Sequence, residues 1–247
     1  MHDLLSVKLI ALESISLKTN KDSQELIIIY YYHHEEMSKM SSGSFTPSIK
    51  LEHVISFSDA VFAFAITFMA LSVDIPDLPI NLTQSELLDK LYDLYPQFES
   101  YVISFAIIAI FWVSYHQVFN HIKGSHITMI YLNLLFLLLI TLLSLSTSLI
   151  INYGTYQIPH VIYSFIVIMT SSLLAMIWWH ATKDKLLIDK NLHQFYIKGV
   201  MINLISIPLV FTVSIIISFV NLDIAEYFWL VIAPLNIAIK QKYKQST

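Results

Sequence analysis

The chain has 247 residues, of which 56% are hydrophobic and 13% charged, whereas about 25% of the residues in a soluble domain are charged. Its formal net charge of −4 provides no basic face for nucleic acid, and the absence of cysteine excludes disulfides, thiolate catalysis and cysteine metal sites. No Asp, Glu, Lys or Arg occurs between Lys123 and Lys183. The composition therefore indicates an integral membrane protein.

The N-terminal segment, residues 1–49, does not share this pattern. Its only apolar run, Leu26–Tyr32, is too short to cross a bilayer. The segment also lacks the basic start, apolar stretch and small-residue cleavage site of a signal peptide. We expect a poorly ordered tail, or translation that begins at Met37 or Met40.

Six apolar segments follow, each near the roughly 20 helical residues needed to cross a hydrocarbon core. They lie at residues 55–75, 99–119, 127–150, 159–181, 199–221 and 223–239. Asn152, Tyr153 and Gly154 separate the third segment from the fourth, and the sixth is the shortest. The sequence predicts an all-α integral membrane protein with six transmembrane helices in one domain, residues 50–240.

The lysines predict the orientation, because Lys and Arg in short loops stay on the cytoplasmic side. The ends and loops that would share one side hold nine lysines: Lys50, Lys123, Lys183, Lys185, Lys190, Lys198, Lys240, Lys242 and Lys244. The opposite loops hold only Lys90. Both termini are therefore predicted to be cytoplasmic, with residues 241–247 as a short C-terminal tail. Trp178, Trp179 and Trp229 are placed near span ends, where aromatic belts are expected.

The outer loop at residues 76–97 is predicted to contain a short helix. Pro76 and Pro79 end the first span, and the sequence Thr83–Glu86 has the pattern of a capping box. The apolar residues Leu87, Leu88, Leu91, Leu94 and Tyr95 then recur at helical spacing. We expect an amphipathic helix on the outer face that ends at Pro96.

Polar side chains inside the predicted spans are the first candidates for function, because ionisable groups in hydrocarbon are costly. Asp59 is the only carboxylate well inside a span, and His116 and Asn133 enter the same inner half from the second and third spans. With Ser58, these residues either hold helices together by hydrogen bonds or take part in moving protons or ions. The sequence leaves both interpretations open.

A helical wheel at about 100° per residue gives each of the first two spans a stripe. Phe64, Thr67, Phe68 and Leu71 share one narrow face of the first span, while Asp59 and Phe62 point away from it. The second span carries Tyr101, Phe105, Ile108, Trp112 and His116 on one face, which suggests a packing face with a polar tip. Periodicity alone does not separate a pore-lining stripe from a core-packing or lipid-facing one.

Other chemical signatures are weak. No nucleophile elbow, phosphate loop or pair of intramembrane acids is present, so no enzymatic activity and no cofactor are expected. His116, His121 and His126 are five residues apart and do not have the spacing of two zinc ligands on one helical face. The four glycines are isolated, so the chain has no carbonyl filter of the usual potassium-channel kind.

The run Phe57–Thr67, with the sequence FSDAVFAFAIT, resembles the signature of the transmembrane protein 175 family, the lysosomal and prokaryotic potassium channels that lack a conventional filter. Ser104, Phe105, Trp112 and His116 resemble that family's second-helix pattern. Leu132–Phe136 and Leu143–Ser146 resemble its third-helix pattern. The resemblance covers residues 50–240 approximately and is strongest in the first three spans.

The resemblance implies a prokaryotic-type subunit with one six-helix repeat, four of which assemble in the cell membrane around a pore lined by the first span. Its partners would be copies of itself and the lipid bilayer, and potassium would be the permeant ion. The family's hydrophobic constriction falls on Phe64, Phe68 and Leu71, with Thr67 as a hydroxyl layer linked to potassium preference. An interhelical network would brace the pore helix through Phe57, Ser58, Asp59, Trp112, His116 and Asn133.

Two positions depart from the family pattern. His53 stands where the family usually has an arginine, and Phe64 stands where it usually has Ile or Leu. Histidine titrates near neutral pH and does not form the bidentate pairs of arginine. The alternatives to a potassium-permeable channel are a secondary transporter coupled to protons through Asp59 and His116, and a membrane scaffold that does not conduct.

Overall fold

The structure is a computed structural model that describes residues 49–75, 81–124, 127–183, 187–188 and 192–243. The predicted N-terminal tail lies outside these residues, apart from Ile49. Pro76, Pro79 and the last four residues of the predicted C-terminal tail also lie outside the described part.

The described residues form eight α-helices and one 3₁₀ turn, and an isolated bridge pairs Ile122 with Ile188. The elements are α1 (Leu51–Ala70), α2 (Gln84–Asp93), α3 (Tyr95–Phe119), α4 (Ile127–Tyr153), α5 (Gln157–Lys183), α6 (Gln194–Ser218), α7 (Leu222–Tyr227), the 3₁₀ turn (Phe228–Val231) and α8 (Ile232–Lys242). Six stretches are long and apolar enough to cross a membrane: α1, α3, α4, α5, α6 and the continuous run Leu222–Lys242. The six predicted transmembrane helices are confirmed.

The first span is shifted relative to the prediction. It begins at Leu51 and ends at Ala70, so Leu71 caps the helix instead of lying inside it. The chain tightens after Phe68, because the Leu71 N–H donates to the Phe68 carbonyl and the next N–H donates to the Met69 carbonyl. Such i to i+3 bonds commonly close the last turn of a helix.

The predicted capping box on the outer loop is present. The Glu86 N–H donates to Thr83 Oγ1 at 3.4 Å, and the Thr83 N–H donates to Glu86 Oε2 at 2.8 Å. The predicted role of Pro96 was wrong, because α2 ends at Asp93 and Pro96 lies in the first turn of α3. Proline fits there because the first helical N–H groups have no partner within the helix.

Two of the three tryptophans assigned to aromatic belts are buried in the protein instead. Trp178 donates to the Ile197 carbonyl at 3.1 Å. Trp229 donates to Ser214 Oγ at 2.7 Å, and its ring stacks on His160 and Tyr163 at 4.8 Å. These indole N–H groups therefore join helices, and of the three only Trp179 is exposed.

The helices differ in how much of their surface the bundle covers. In the most apolar part of each span, half of the residues are buried in α3, α4 and α5 (50%) and 44% in α6, but only 28% in α1 and 22% in Leu222–Lys242. The α1 helix packs against α4 and α3 and lies at an edge of the bundle. A large part of α1 is consequently left without contacts from its own chain.

Candidate functional site

The α1 helix has one buried face and one exposed face. Every third or fourth residue points into the bundle, and these buried residues are Val54, Ser58, Phe62, Ala65 and Met69. The opposite face carries the stripe found on the helical wheel: Phe64 is 65% exposed, Phe68 47% and Leu71 77%, and Thr67 is exposed as well. The structure therefore places the predicted stripe on the outer surface of the single chain.

The stripe has an ordered local geometry. The rings of Phe64 and Phe68 stack with centroids 5.7 Å apart and planes 19° apart. The Thr67 hydroxyl donates to the Ala63 carbonyl at 2.7 Å. Because this bond uses the hydroxyl proton, the lone pairs of Thr67 Oγ1 remain available as acceptors on the exposed face.

A buried hydrogen-bond cluster joins α1 to α3 and α4 through Ser58. Ser58 Oγ accepts from the Tyr115 hydroxyl at 2.7 Å and from Asn133 Nδ2 at 3.0 Å. It donates to the Val54 carbonyl at 2.8 Å. The hydroxyl of Ser58 thus satisfies side chains from two neighbouring helices at one point of α1.

A second cluster, next to the first, joins α1 to α3 through Asp59. Asp59 Oδ1 accepts from Trp112 Nε1 at 2.9 Å and lies 2.8 Å from His116 Nε2. The rings of Trp112 and His116 meet edge to face at 4.6 Å. The cluster is only partly buried, since the Asp59 side chain is 42% exposed and that of His116 24%.

A third contact holds α1 nearer its outer end. Ser144 of α4 donates to the Ala65 carbonyl at 2.7 Å, and both residues are buried. Phe62 lies one turn below Ala65 and packs against the rings of Tyr115 and Phe136 at 5.8 and 6.0 Å. The buried face of α1 is therefore fixed along most of its length.

Phe57 does not take part in these clusters. Its side chain is 54% exposed, and none of the hydrogen bonds or ring contacts among the described residues includes it. The arginine-replacing His53 is also exposed, in the first turn of α1. The structure therefore brings five of the six predicted network residues together in two clusters and leaves Phe57 on the outside.

The predicted packing face of α3 was wrong in part. Phe105 and Trp112 are 41% and 42% exposed, whereas Phe111 and Tyr115 are buried next to Ile108. The helical wheel assigned the packing face from the position of His116. The face that is buried in the structure is rotated from it by about one residue. Tyr115 was missed for this reason, although a tyrosine beside a candidate histidine was a usable signal. Ser144 was missed because its hydrogen bond goes to a backbone carbonyl.

Within the described ranges, no three His, Asp or Glu side chains lie close enough together to hold a metal ion. The arrangement consists of an apolar stripe with one hydroxyl, supported from behind by polar contacts between helices. It can present an apolar surface of fixed direction to lipid or to another chain.

Comparisons with known proteins match this part of the chain. The family model described as endosomal/lysosomal potassium channel TMEM175 matches residues 53–143, which contain all the residues of the stripe and of the clusters. A potassium channel of Streptomyces collinus is 30% identical over 142 residues, which are 55% of this chain and 66% of the relative. A potassium channel of Chamaesiphon minutus is 32% identical over 139 residues, which are 55% of this chain and 68% of the relative.

A solved structure shares the fold. The crystal structure of a lysosomal potassium-selective channel TMEM175 homolog from Chamaesiphon minutus superposes with a TM-score of 0.65 and 23% sequence identity. The superposition covers 79% of this chain and 98% of that one. The six-helix arrangement is therefore common to both proteins.

Proposed function

The chain belongs to the TMEM175 family of ion channels, and we propose that it is a subunit of a potassium-permeable channel in the cell membrane whose pore is lined by α1. The names of the two bacterial relatives support potassium as the permeant ion. The six apolar helices make it a multi-pass membrane protein.

The observation that carries the proposal is the direction of the α1 stripe. Phe64, Phe68 and Leu71 face outward from their own bundle, so a passage that they line has to form between copies of the chain. Closed rings of identical subunits place one surface of every copy around a common axis. We propose a homotetramer in which four α1 helices surround the pore.

Successive layers of side chains would then control the passage. At 1.5 Å per residue, Phe68 lies about 6 Å and Leu71 about 10 Å along the helix from Phe64. Rings of apolar side chains close a pore by excluding water from a narrow section. Thr67 adds an oxygen that accepts, because its hydroxyl proton is bonded to Ala63, and such an oxygen favours a partly dehydrated cation in that layer.

The polar clusters behind α1 serve this arrangement by fixing its rotation. A helix that turned by one residue, about 100°, would move Phe64 away from the common axis. Ser58 and Asp59 resist such a turn through their bonds to α3 and α4. Interhelical hydrogen bonds in membranes are worth about 0.6 kcal/mol on average, so several of them are needed.

The Asp59 and His116 contact favours the proton-coupled transporter as the second candidate, because it places two titratable groups together inside a span. Potassium efflux from liposomes separates the two candidates. A channel needs only a charge shunt, so adding a protonophore to liposomes with a potassium gradient should start the flux. Without the protonophore, imposing a proton gradient should not drive potassium against its own gradient. Uphill potassium movement driven by protons would identify a transporter, and no flux under either condition would identify a scaffold.

A further inference from the structure

A cleft of about 510 Å³ opens at the lysine-rich end of the bundle, away from α1. The end of α3, the beginning of α6 and the end of α8 form its walls. Its lining is mostly aliphatic and aromatic, with Val200, Ile237, Ile239 and Tyr243 among the contributors. This volume lies within the roughly 300–1,000 Å³ range of ligand-binding clefts.

A buried amide oxygen without a hydrogen-bond donor belongs to one of the residues that line this cleft. Asn203 of α6 lines it and is only 2% exposed, and its Oδ1 atom has no hydrogen-bond partner among the described residues. Buried amides are normally paired, because an unpaired one loses its bonds to water and gains none. A ligand with a hydrogen-bond donor at this depth would remove that cost.

A positively charged side chain also lines the cleft, at a depth similar to that of Asn203. Lys240 of α8 also lines the cleft and is exposed, and no described acidic side chain forms an ion pair with it. Close packing of Tyr243 on Gly199 sets the register of the two helices. Asn203 is four residues, about 6 Å, above Gly199, and Lys240 is three residues above Tyr243. Asn203 and Lys240 therefore lie at similar depth, and the flexible lysine reaches toward the water.

We propose that this cleft binds one anionic phospholipid from the leaflet at the lysine-rich end, which the charge distribution predicts to be cytoplasmic. The phosphate would bind Lys240, a head-group hydroxyl such as those of phosphatidylglycerol would donate to Asn203 Oδ1, and an acyl chain would lie along Val200 and Ile237. Basic pockets between membrane helices on the cytoplasmic side commonly accept such head groups. The proposal does not depend on which ion the protein conducts.

Native mass spectrometry of the full chain in detergent tests the proposal, with phosphatidylglycerol compared to phosphatidylcholine of the same acyl chains. Phosphatidylglycerol should bind more tightly. Lys240→Gln should weaken its binding about fivefold, as expected for one lysine near an anionic lipid, and should weaken phosphatidylcholine binding less, because the choline cation offsets the charge of that lipid's phosphate. Lys183→Gln is the matched control, since Lys183 lies at the same end of the bundle on α5 but does not line the cleft.

Substitution of Asn203 provides an independent test of the proposal. Asn203→Leu should weaken binding of phosphatidylglycerol more than that of phosphatidylcholine, which has no head-group hydroxyl, and should not lower the thermal midpoint of the lipid-free protein, because it removes an unpaired amide oxygen. Asn236→Leu is its control: Asn236 is buried with an unpaired Oδ1 but does not line the cleft. Equal losses in Lys240→Gln and Lys183→Gln, or in Asn203→Leu and Asn236→Leu, would overturn the proposal. Glycerol phosphate binding as tightly as the lipid would also overturn it, because the ligand would then be a free phosphate.

Discussion

The Tyr115 hydroxyl of α3 donates a 2.7 Å hydrogen bond to the hydroxyl of Ser58 on α1, and both side chains are fully buried. The same serine accepts a second bond from Asn133 of α4. One small side chain is thus the shared acceptor through which two helices hold the third.

Ser58→Ala is expected to destabilise the bundle, because it leaves the Tyr115 hydroxyl and the Asn133 amide without an acceptor. Each interhelical hydrogen bond in a membrane protein is worth about 0.6 kcal/mol and at most about 1.7 kcal/mol, so the two together predict a loss of about 1–3 kcal/mol. The measurement is the free energy of unfolding in detergent. Ser56→Ala, on the exposed side of the same helix, should change the free energy of unfolding little. If the two variants lower it equally, the hydrogen bonds of Ser58 do not stabilise the bundle.

Asp59→Ala is expected to lower stability and the fraction of tetramer together. The Asp59 bonds to Trp112 and His116 lie within one subunit, so their loss frees α1 and disturbs assembly indirectly. A double-mutant cycle with Trp112→Phe should give a coupling energy of about 0.6 kcal/mol. If stability and tetramer yield stay normal while ion preference changes, Asp59 belongs to the conduction path instead.

Hydrophobic length was sufficient to predict the six spans, and the Thr83–Glu86 pattern was sufficient for the capping box. The family resemblance, rather than any spacing, pointed to Trp112 and His116 as neighbours of Asp59.

The sequence was insufficient where tertiary packing decides. A wheel treats each helix alone, so it did not distinguish the exposed Trp112 from the buried Tyr115. A serine bonded to a backbone carbonyl, such as Ser144, leaves no pattern in the sequence. Phe57 is part of the first-helix motif, but it takes part in neither of the two hydrogen-bond clusters.

The capping box of α2 predicts a local pH dependence. Hydrogen bonds from the side chain and backbone of Thr83 hold the pKa of Glu86 below its ordinary value of 4.5. A lowered carboxyl pKa means that the stabilisation is complete above pH 4.5 and is lost as the pH falls through the folded-state value. The hydrogen-exchange protection of residues 84–93, relative to the intrinsic rate at each pH, should therefore fall selectively in acid. Thr83→Ala should cause the same loss of protection at neutral pH and remove most of the acid effect; an unchanged acid effect would assign it to another group.

Thr67→Val tests the hydroxyl layer. Valine keeps the shape of threonine but removes the exposed oxygen, so potassium preference over sodium should fall while flux persists. The reversal potential under bi-ionic conditions measures this preference. A normal reversal potential in the variant would mean that Thr67 does not contact the ion.

The constriction is the central claim, and its control has to be chosen with care. Phe62 points away from the stripe, but it is only 1% exposed and packs against Tyr115 and Phe136. Removing a buried phenylalanine costs about 3–5 kcal/mol in protein cores, so Phe62→Ala would confuse unfolding with conduction. Phe165 on α5 is a better match, because it is 58% exposed against 65% for Phe64.

Potassium flux into liposomes containing Phe64→Ala, compared with Phe165→Ala and the unmodified chain, tests the account most directly. A smaller side chain at the narrowest ring lets water persist in the pore. Phe64→Ala should therefore raise potassium flux and admit more sodium, while Phe165→Ala should leave both unchanged. Unchanged flux and reversal potential in Phe64→Ala, together with a change in Phe165→Ala, would place the pore on another face and contradict the account.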